Sequence, residues 1–156
     1  MAVVERLQRL LDERKVPYQT FAHREAFTAQ GVAAASHVSG WEVAKVVIAR
    51  DPEGHHVMAV LPASCRLSIS ALQSAAKLEP LEIAPEGDAS MLFPDCEAGA
   101  MPPFGNLYDV PIVVDTCLGK RPEVIFQAGN HKEAVRMAYG DFEKLAAPIV
   151  ADVCRH

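Results

Sequence analysis

Apolar residues recur at Val3, Val4, Leu7, Leu10 and Leu11, with Glu and Arg filling the positions between. That spacing is one face of a helix, and it predicts an amphipathic helix from Val3 to Lys15, ended by Val16-Pro17. Tyr18 to Ala22 is short and β-prone. Thr28 can cap an alanine-rich helix running to about Val38, with Gly40 closing it. Ala44 to Arg50 and His56 to Leu61 read as two strands of a hairpin around the turn Asp51-Pro52-Glu53-Gly54. Ser70 to Lys77 is predicted as a helix, Leu81 to Ala84 as a strand, and Pro85 to Phe93 as a helix opened by its proline. Strands follow at Pro111 to Asp115 and Val124 to Ala128, with a turn at Gly119-Lys120-Arg121-Pro122 between them. Ala134 to Ala138 fits either helix or strand, and Asp141 caps a last helix through Ala147. Strands and helices mix without a βαβ rhythm, which predicts an α+β domain on a mixed or antiparallel sheet.

The length of 156 residues suits one domain, 1–156, with a substantial core. No apolar run approaches a membrane span, and the first residues lack the basic-then-apolar order of a signal peptide. Cys65, Cys96, Cys117 and Cys154 form no CxxC pair and no zinc spacing, so they are expected as reduced thiols in a cytoplasmic protein. The net charge of −5 argues against a broad nucleic-acid-binding surface, though a local basic patch can still grip one end of an RNA.

Three features can carry chemistry. Lys45 shares a strand face with Val47 and Ala49, while Val46, Ile48 and Arg50 take the other. A lysine there is either a fixed cation aimed at a carbonyl or phosphate, or a strand-end residue whose head reaches water. Gly99-Ala100-Met101-Pro102-Pro103-Phe104-Gly105 combines permissive and rigid backbone. It can present N–H groups to an oxyanion, or serve only as a turn. His131, in Ala128-Gly129-Asn130-His131, follows a buried strand and can donate, act as base or gate a pocket, or be only a surface or helix-capping residue. The other histidines (His23, His37, His55, His56, His156) have no metal-ligand spacing. Glu25, Glu42, Asp95 and Glu97 make no acid/base pair, and GxSxG, P-loop and HExxH are absent. Cys65 is a conceivable thiol nucleophile without a supporting motif.

In order along the chain, "VPYQTFAH", "AKVVIARDPEGHHVMAVLPASCRLSISAL", "FPDCEAGAMPPFG" and "VIFQAGNHKEAVRM" resemble the YbaK family, the editing domains associated with prolyl-tRNA synthetase. The resemblance covers nearly the whole chain. It implies an α+β domain with a mixed, barrel-like sheet flanked by helices. It also implies hydrolysis of the ester of mischarged aminoacyl-tRNA, with no metal, no cofactor and no covalent intermediate. The catalytic set carried over is Lys45, Gly99 and His131. Substrate contacts fall to Pro102, Pro103, Phe104, Gly105, Gly129 and Arg50, with Lys45, Arg50, Arg66, Lys120 and Arg121 as a small basic patch at the mouth. A ribose hydroxyl of the substrate helps activate water. Some alanine-clearing members carry asparagine where this chain has Val46, and the "AKVV" strand with the AG-x-H turn is similar to serine- or threonine-clearing branches. The expected partner is the acceptor end of a mischarged tRNA, gripped either by that basic patch or through a synthetase or another factor that presents it. Monomer and homodimer both stay open. The competing reading is a non-catalytic aminoacyl- or nucleotide-binding adapter.

Overall fold

Two antiparallel strands, β2 (Ala44–Arg50) and β3 (His56–Pro62), form the hairpin on which the molecule is built. In the computed structural model, residues 4–23, 29–36 and 38–155 are described. The Asp51 carboxylate shapes the turn by accepting from the N–H groups of Glu53 at 3.0 Å and His55 at 2.8 Å. Gly54 completes it at φ +89°, a conformation that a side chain would strain.

β6 (Ile112–Asp115) adds to the other side of β3 in parallel, and β9 (Ile149–Ala151) adds in parallel to β6. β5 (Glu82–Ile83) pairs only with the last residues of β2. The sheet order is therefore β5-β2-β3-β6-β9. Its central strands are buried on both faces, which is why Val57 to Leu61 is an unbroken apolar run rather than an alternating one. A second, antiparallel sheet runs β1 (Tyr18–Ala22), β8 (Glu133–Ala138) and β7 (Glu123–Gln127). A short ladder joins β4 (Arg66–Leu67) to β10 (Cys154–Arg155). Helices α1 (Glu5–Glu13), α2 (Ala29–Ser36), α3 (Ile69–Ala76), α4 (Glu86–Leu92) and α5 (Tyr139–Ala146) flank these sheets.

The main core lies where the two larger sheets meet. Ile48, Met58 and Val60 face Phe126, Val135 and Met137 across it, and Leu7 and Leu11 of α1 close one side. Phe104 stands at the centre, with ring centroids 5.6 Å from Phe126 and 5.3 Å from Phe142. The opposite faces of β2, β3 and β6 send Ala49, Ala59, Leu61 and Val113 to a second core under Leu72 of α3.

The α+β class is as expected, but the strands divide into three sheets and do not close into a barrel. Among the described residues, Val43 and Ile125 form the one parallel bridge between the two larger sheets. The expected cap Thr28 lies outside the described residues, as does His37. Gly40 is a turn residue four positions beyond the end of α2 at Ser36 rather than its cap, and a Cβ there would stand 2.3 Å from Ser64 Oγ. The last helix begins at Tyr139, so Asp141 sits in its first turn, where its charge suits the N-terminal N–H groups. The ambiguous Ala134 to Ala138 is a strand because β1 and β7 pair with it on both sides. No helix among the described residues is long and apolar enough to cross a membrane.

Candidate functional site

Among the described residues, β2 has a paired strand on one side only along its first half. At its start, the Ile125 N–H donates to the Glu42 carbonyl at 2.9 Å, and at its far end the Ala84 N–H donates to the Ile48 carbonyl at 2.8 Å. Between these points β7 has diverged and β5 has not begun. A cavity of about 250 Å³ opens there, lined by Ala44, Lys45, Val46 and Val47 of β2, Ala29, Gln127, and Gly99 and Met101 of the Gly/Pro loop.

Lys45 is half-buried, and its Nζ donates to the Cys65 carbonyl. Its ammonium is thereby held at the cavity wall rather than free in solvent. Cys65 contributes that carbonyl. Its thiol is buried in the apolar cluster beside Cys154, whose own thiol burial pushes up, with Cys65 and Asp115 adding to the effect. The nucleophilic-thiol reading finds no support in such a setting.

Gly99 adopts φ +81°, and its N–H has no hydrogen-bond partner among the described residues. The loop around it is tied down at several points. The Ala100 N–H donates to the Glu97 carbonyl at 3.0 Å, the Glu97 N–H to the Gly129 carbonyl at 2.8 Å, and the Gly129 N–H to the Ala100 carbonyl at 2.8 Å. Gly129 is required by conformation and space together. It sits at φ +110°, and a Cβ would lie 3.0 Å from Val4 Cβ. Gly105 is required by space alone, since its Cβ would meet the Val110 carbonyl oxygen at 2.5 Å.

His131 is buried behind the wall. Its Nε2 lies 2.7 Å from the Ala98 carbonyl, which can only accept, so Nε2 carries the hydrogen. Nδ1 then accepts from the Gln127 amide at 3.2 Å. Through these two bonds the ring ties Gln127 to the backbone beside Gly99.

Lys45 and Gly99 thus meet at one cavity, with Gly129 and His131 supporting it from behind. Pro102, Pro103, Phe104 and Gly105 are buried and do not line it; Phe104 belongs to the core. Arg50 is not brought to the site. It stands five residues along β2 from Lys45, about 17 Å at strand rise, and pairs with Glu82 at 3.0 Å and Asp88 at 3.1 Å. Of the expected basic patch, Arg121 lies 3.8 Å from Glu42, next to the start of β2. Gln127, Met101 and Ala29 were not anticipated as site residues. Gln127 carried a readable signal, being the one polar side chain ending the apolar run Val124-Ile125-Phe126. Met101 and Ala29 carried none, because only the chain path brings them to β2.

The aminoacyl-tRNA editing domain profile matches residues 23–145. No curated protein matches the chain. Among solved structures, the hypothetical protein APE2540 superposes with a TM-score of 0.87 at 23% identity, covering 97% of this chain and 100% of that one. A protein provisionally described as a trans-editing enzyme for prolyl-tRNA synthetase gives 0.81 at 20% identity, covering 98% and 97%. At these identities the structural likeness speaks for the fold, whereas the profile spans most of the sequence. The chain belongs to the aminoacyl-tRNA editing domain family.

Proposed function

We propose that this protein deacylates mischarged aminoacyl-tRNA carrying a small amino acid such as serine, threonine or alanine. The observation that carries the reading is that Lys45 and Gly99, far apart in sequence, line one small cavity. An aminoacyl ester placed there meets a fixed cation on one wall and, at Gly99, a backbone N–H with no partner among the described residues. The cation suits the acceptor-end phosphate or the ester. The N–H suits the oxygen that gains negative charge as water adds to the carbonyl.

Among the described residues lining the cavity Lys45 is the one ionisable group, and none of them offers a carboxylate or an imidazole to deprotonate water. Both His131 ring nitrogens are engaged in structure, which makes His131 a positioning residue in this scheme. Water activation then falls to a hydroxyl of the substrate's terminal ribose, with the protein orienting the ester. A site limited to the acceptor end also accords with the acidic net charge of −5, because a synthetase can supply the rest of the tRNA grip.

The test is a deacylation panel of mischarged tRNAs with wild type, Lys45→Ala and Cys65→Ala. Lys45→Ala should lower kcat/KM by about 100-fold, the scale of one preorganised electrostatic contact, and Cys65→Ala should stay near wild type. Absence of hydrolysis on every mischarged tRNA would instead favour a non-catalytic binding module.

A further inference from the structure

We propose that Arg136, backed by Phe21, forms a stacking platform for the unpaired nucleotides that precede the aminoacylated one at the acceptor end. This rests on the deacylase reading above. The Arg136 guanidinium stands over the Phe21 ring, 5.7 Å from its centroid. Arg6, Arg9, Arg50 and Arg121 each pair with a carboxylate. Arg136 enters no ion pair among the described residues. With Phe21, Gln19 and Thr20 it lines an open cleft of about 530 Å³.

Strand register places this cleft beside the Lys45 cavity. Gln127, Ala134 and Phe21 lie opposite one another on β7, β8 and β1, and Ile125, Arg136 and Gln19 form the next row. Residues opposite one another, or two apart along a strand, share a face, so all six stand on one face. Phe126, Val135 and Met137, which alternate with them, point into the main core on the other. Gln127 lines the cavity, and Phe21 is two strand spacings from it, about 10 Å. Ala29 touches both places, lining the cavity and belonging to the small cluster against which Phe21 packs. A strand of RNA that leaves the cavity on this face therefore meets Arg136 within a nucleotide or two.

An unpaired nucleotide offers a flat base and an anionic phosphate. A guanidinium has a plane on which a base can stack and N–H groups that bond phosphate oxygens, and the ring behind it holds that plane in place. Stacking tolerates any base, so the platform grips without reading sequence. An acidic chain of net charge −5 lacks the long-range pull of a basic surface, so its hold on RNA must come from local contacts of this kind.

The experiment compares hydrolysis of mischarged seryl-tRNA with that of seryl-adenosine ester, which fills the cavity but stops short of the platform. Binding of the non-hydrolysable seryl amides of adenosine and of the trinucleotide C-C-A is measured alongside. The proteins are wild type, Arg136→Ala and Arg136→Lys, with melting curves to identify folded variants. Arg136→Ala should raise KM for seryl-tRNA and Kd for the trinucleotide amide by about tenfold, the scale of one stacked base, with kcat and both adenosine values within about twofold. Arg136→Lys should recover only part of that loss, because it keeps the charge without the plane.

An unchanged trinucleotide Kd in folded Arg136→Ala overturns the proposal. So does an equal loss on the tRNA and adenosine compounds, which would place Arg136 in service of the cavity itself. A loss that appears only when a synthetase is added also overturns it, by assigning the cleft to a protein partner. If wild type hydrolyses neither ester, the deacylase reading fails on its own, and the trinucleotide-to-adenosine binding ratio still decides the role of Arg136.

Discussion

Replacing Gly129 by alanine tests whether the turn after β7 supports the cavity. The backbone there stands at φ +110°, outside the left-handed region that some side chains tolerate. Strain of that kind costs about 1–3 kcal/mol. The new Cβ would also lie 3.0 Å from Val4 Cβ, so the start of α1 must shift, adding about 1–2 kcal/mol of overpacking. Together these remove about 2–5 kcal/mol, a large share of the roughly 5–15 kcal/mol typical of a domain. For a chain of this size the melting temperature should fall by roughly 5–15 °C.

Gly54→Ala is the matched control. It carries φ +89° but has nothing within 4 Å of the added Cβ, so it incurs strain without contact. Differential scanning calorimetry of both variants separates the two terms. Deacylation should also separate them. Gly129 exchanges two backbone hydrogen bonds with the 97–100 segment, so Gly129→Ala should lower kcat/KM well below the Gly54→Ala value. An equal drop in melting temperature for both variants would refute the Val4 contact, and an unchanged kcat/KM in Gly129→Ala would refute the link from turn to loop.

Asp115 should act as a latch for the C-terminal segment. Its buried carboxylate accepts from the N–H groups of Val153 at 2.7 Å, Cys154 at 3.1 Å and Cys117 at 2.8 Å, and Asp115→Ala should cost about 2–4 kcal/mol in urea unfolding by orphaning them. Burial acts to raise the Asp115 carboxyl, but the Val153 and Cys117 donors outweigh it and hold the group below its ordinary value. The stabilisation is therefore full above the unfolded carboxylate value of about 4 and is lost as pH falls through the lower folded value. Unfolding followed from about pH 6 downward should be less pH-dependent in Asp115→Asn. Phe104→Ala should cost about 3–5 kcal/mol, because the ring is fully buried between Phe126 and Phe142. Its kcat/KM at a temperature where the variant is folded should change less than that of Lys45→Ala, since Phe104 does not line the cavity.

Much of the local structure was legible in the residues. Leu7 and Leu11 repeat at helical spacing and are the buried residues of α1. The β2–β3 hairpin follows from two apolar runs around a turn whose Asp and Gly both have work to do there. β9 and β10 were not legible. They are three and two residues long, too short to show a period, and they are strands because Val113 to Asp115 and Leu67 offer them partners. Some residues of the candidate cavity were legible too. Lys45 stood out as a cation on an apolar strand, and Gly99 and Gly129 as glycines flanking buried elements. Phe104 and the two prolines read as site residues because their motif is local, yet a motif does not say which side chains face inward.

The sequence alone determined the helices and longer strands, the α+β class, and the residues that stood out as candidates for a site. Those properties depend on neighbours within a few positions, through backbone preference and the period at which apolar residues recur. Tertiary structure decided what surrounds Lys45. The cavity exists because β7 bridges to Val43, just before β2, and then diverges, exposing the strand edge that Gly99, Met101 and Gln127 line. It also sent Arg50 away, to Glu82 and Asp88. Such choices depend on how distant segments compete to cover the same apolar surface, and no spacing along the chain records the outcome.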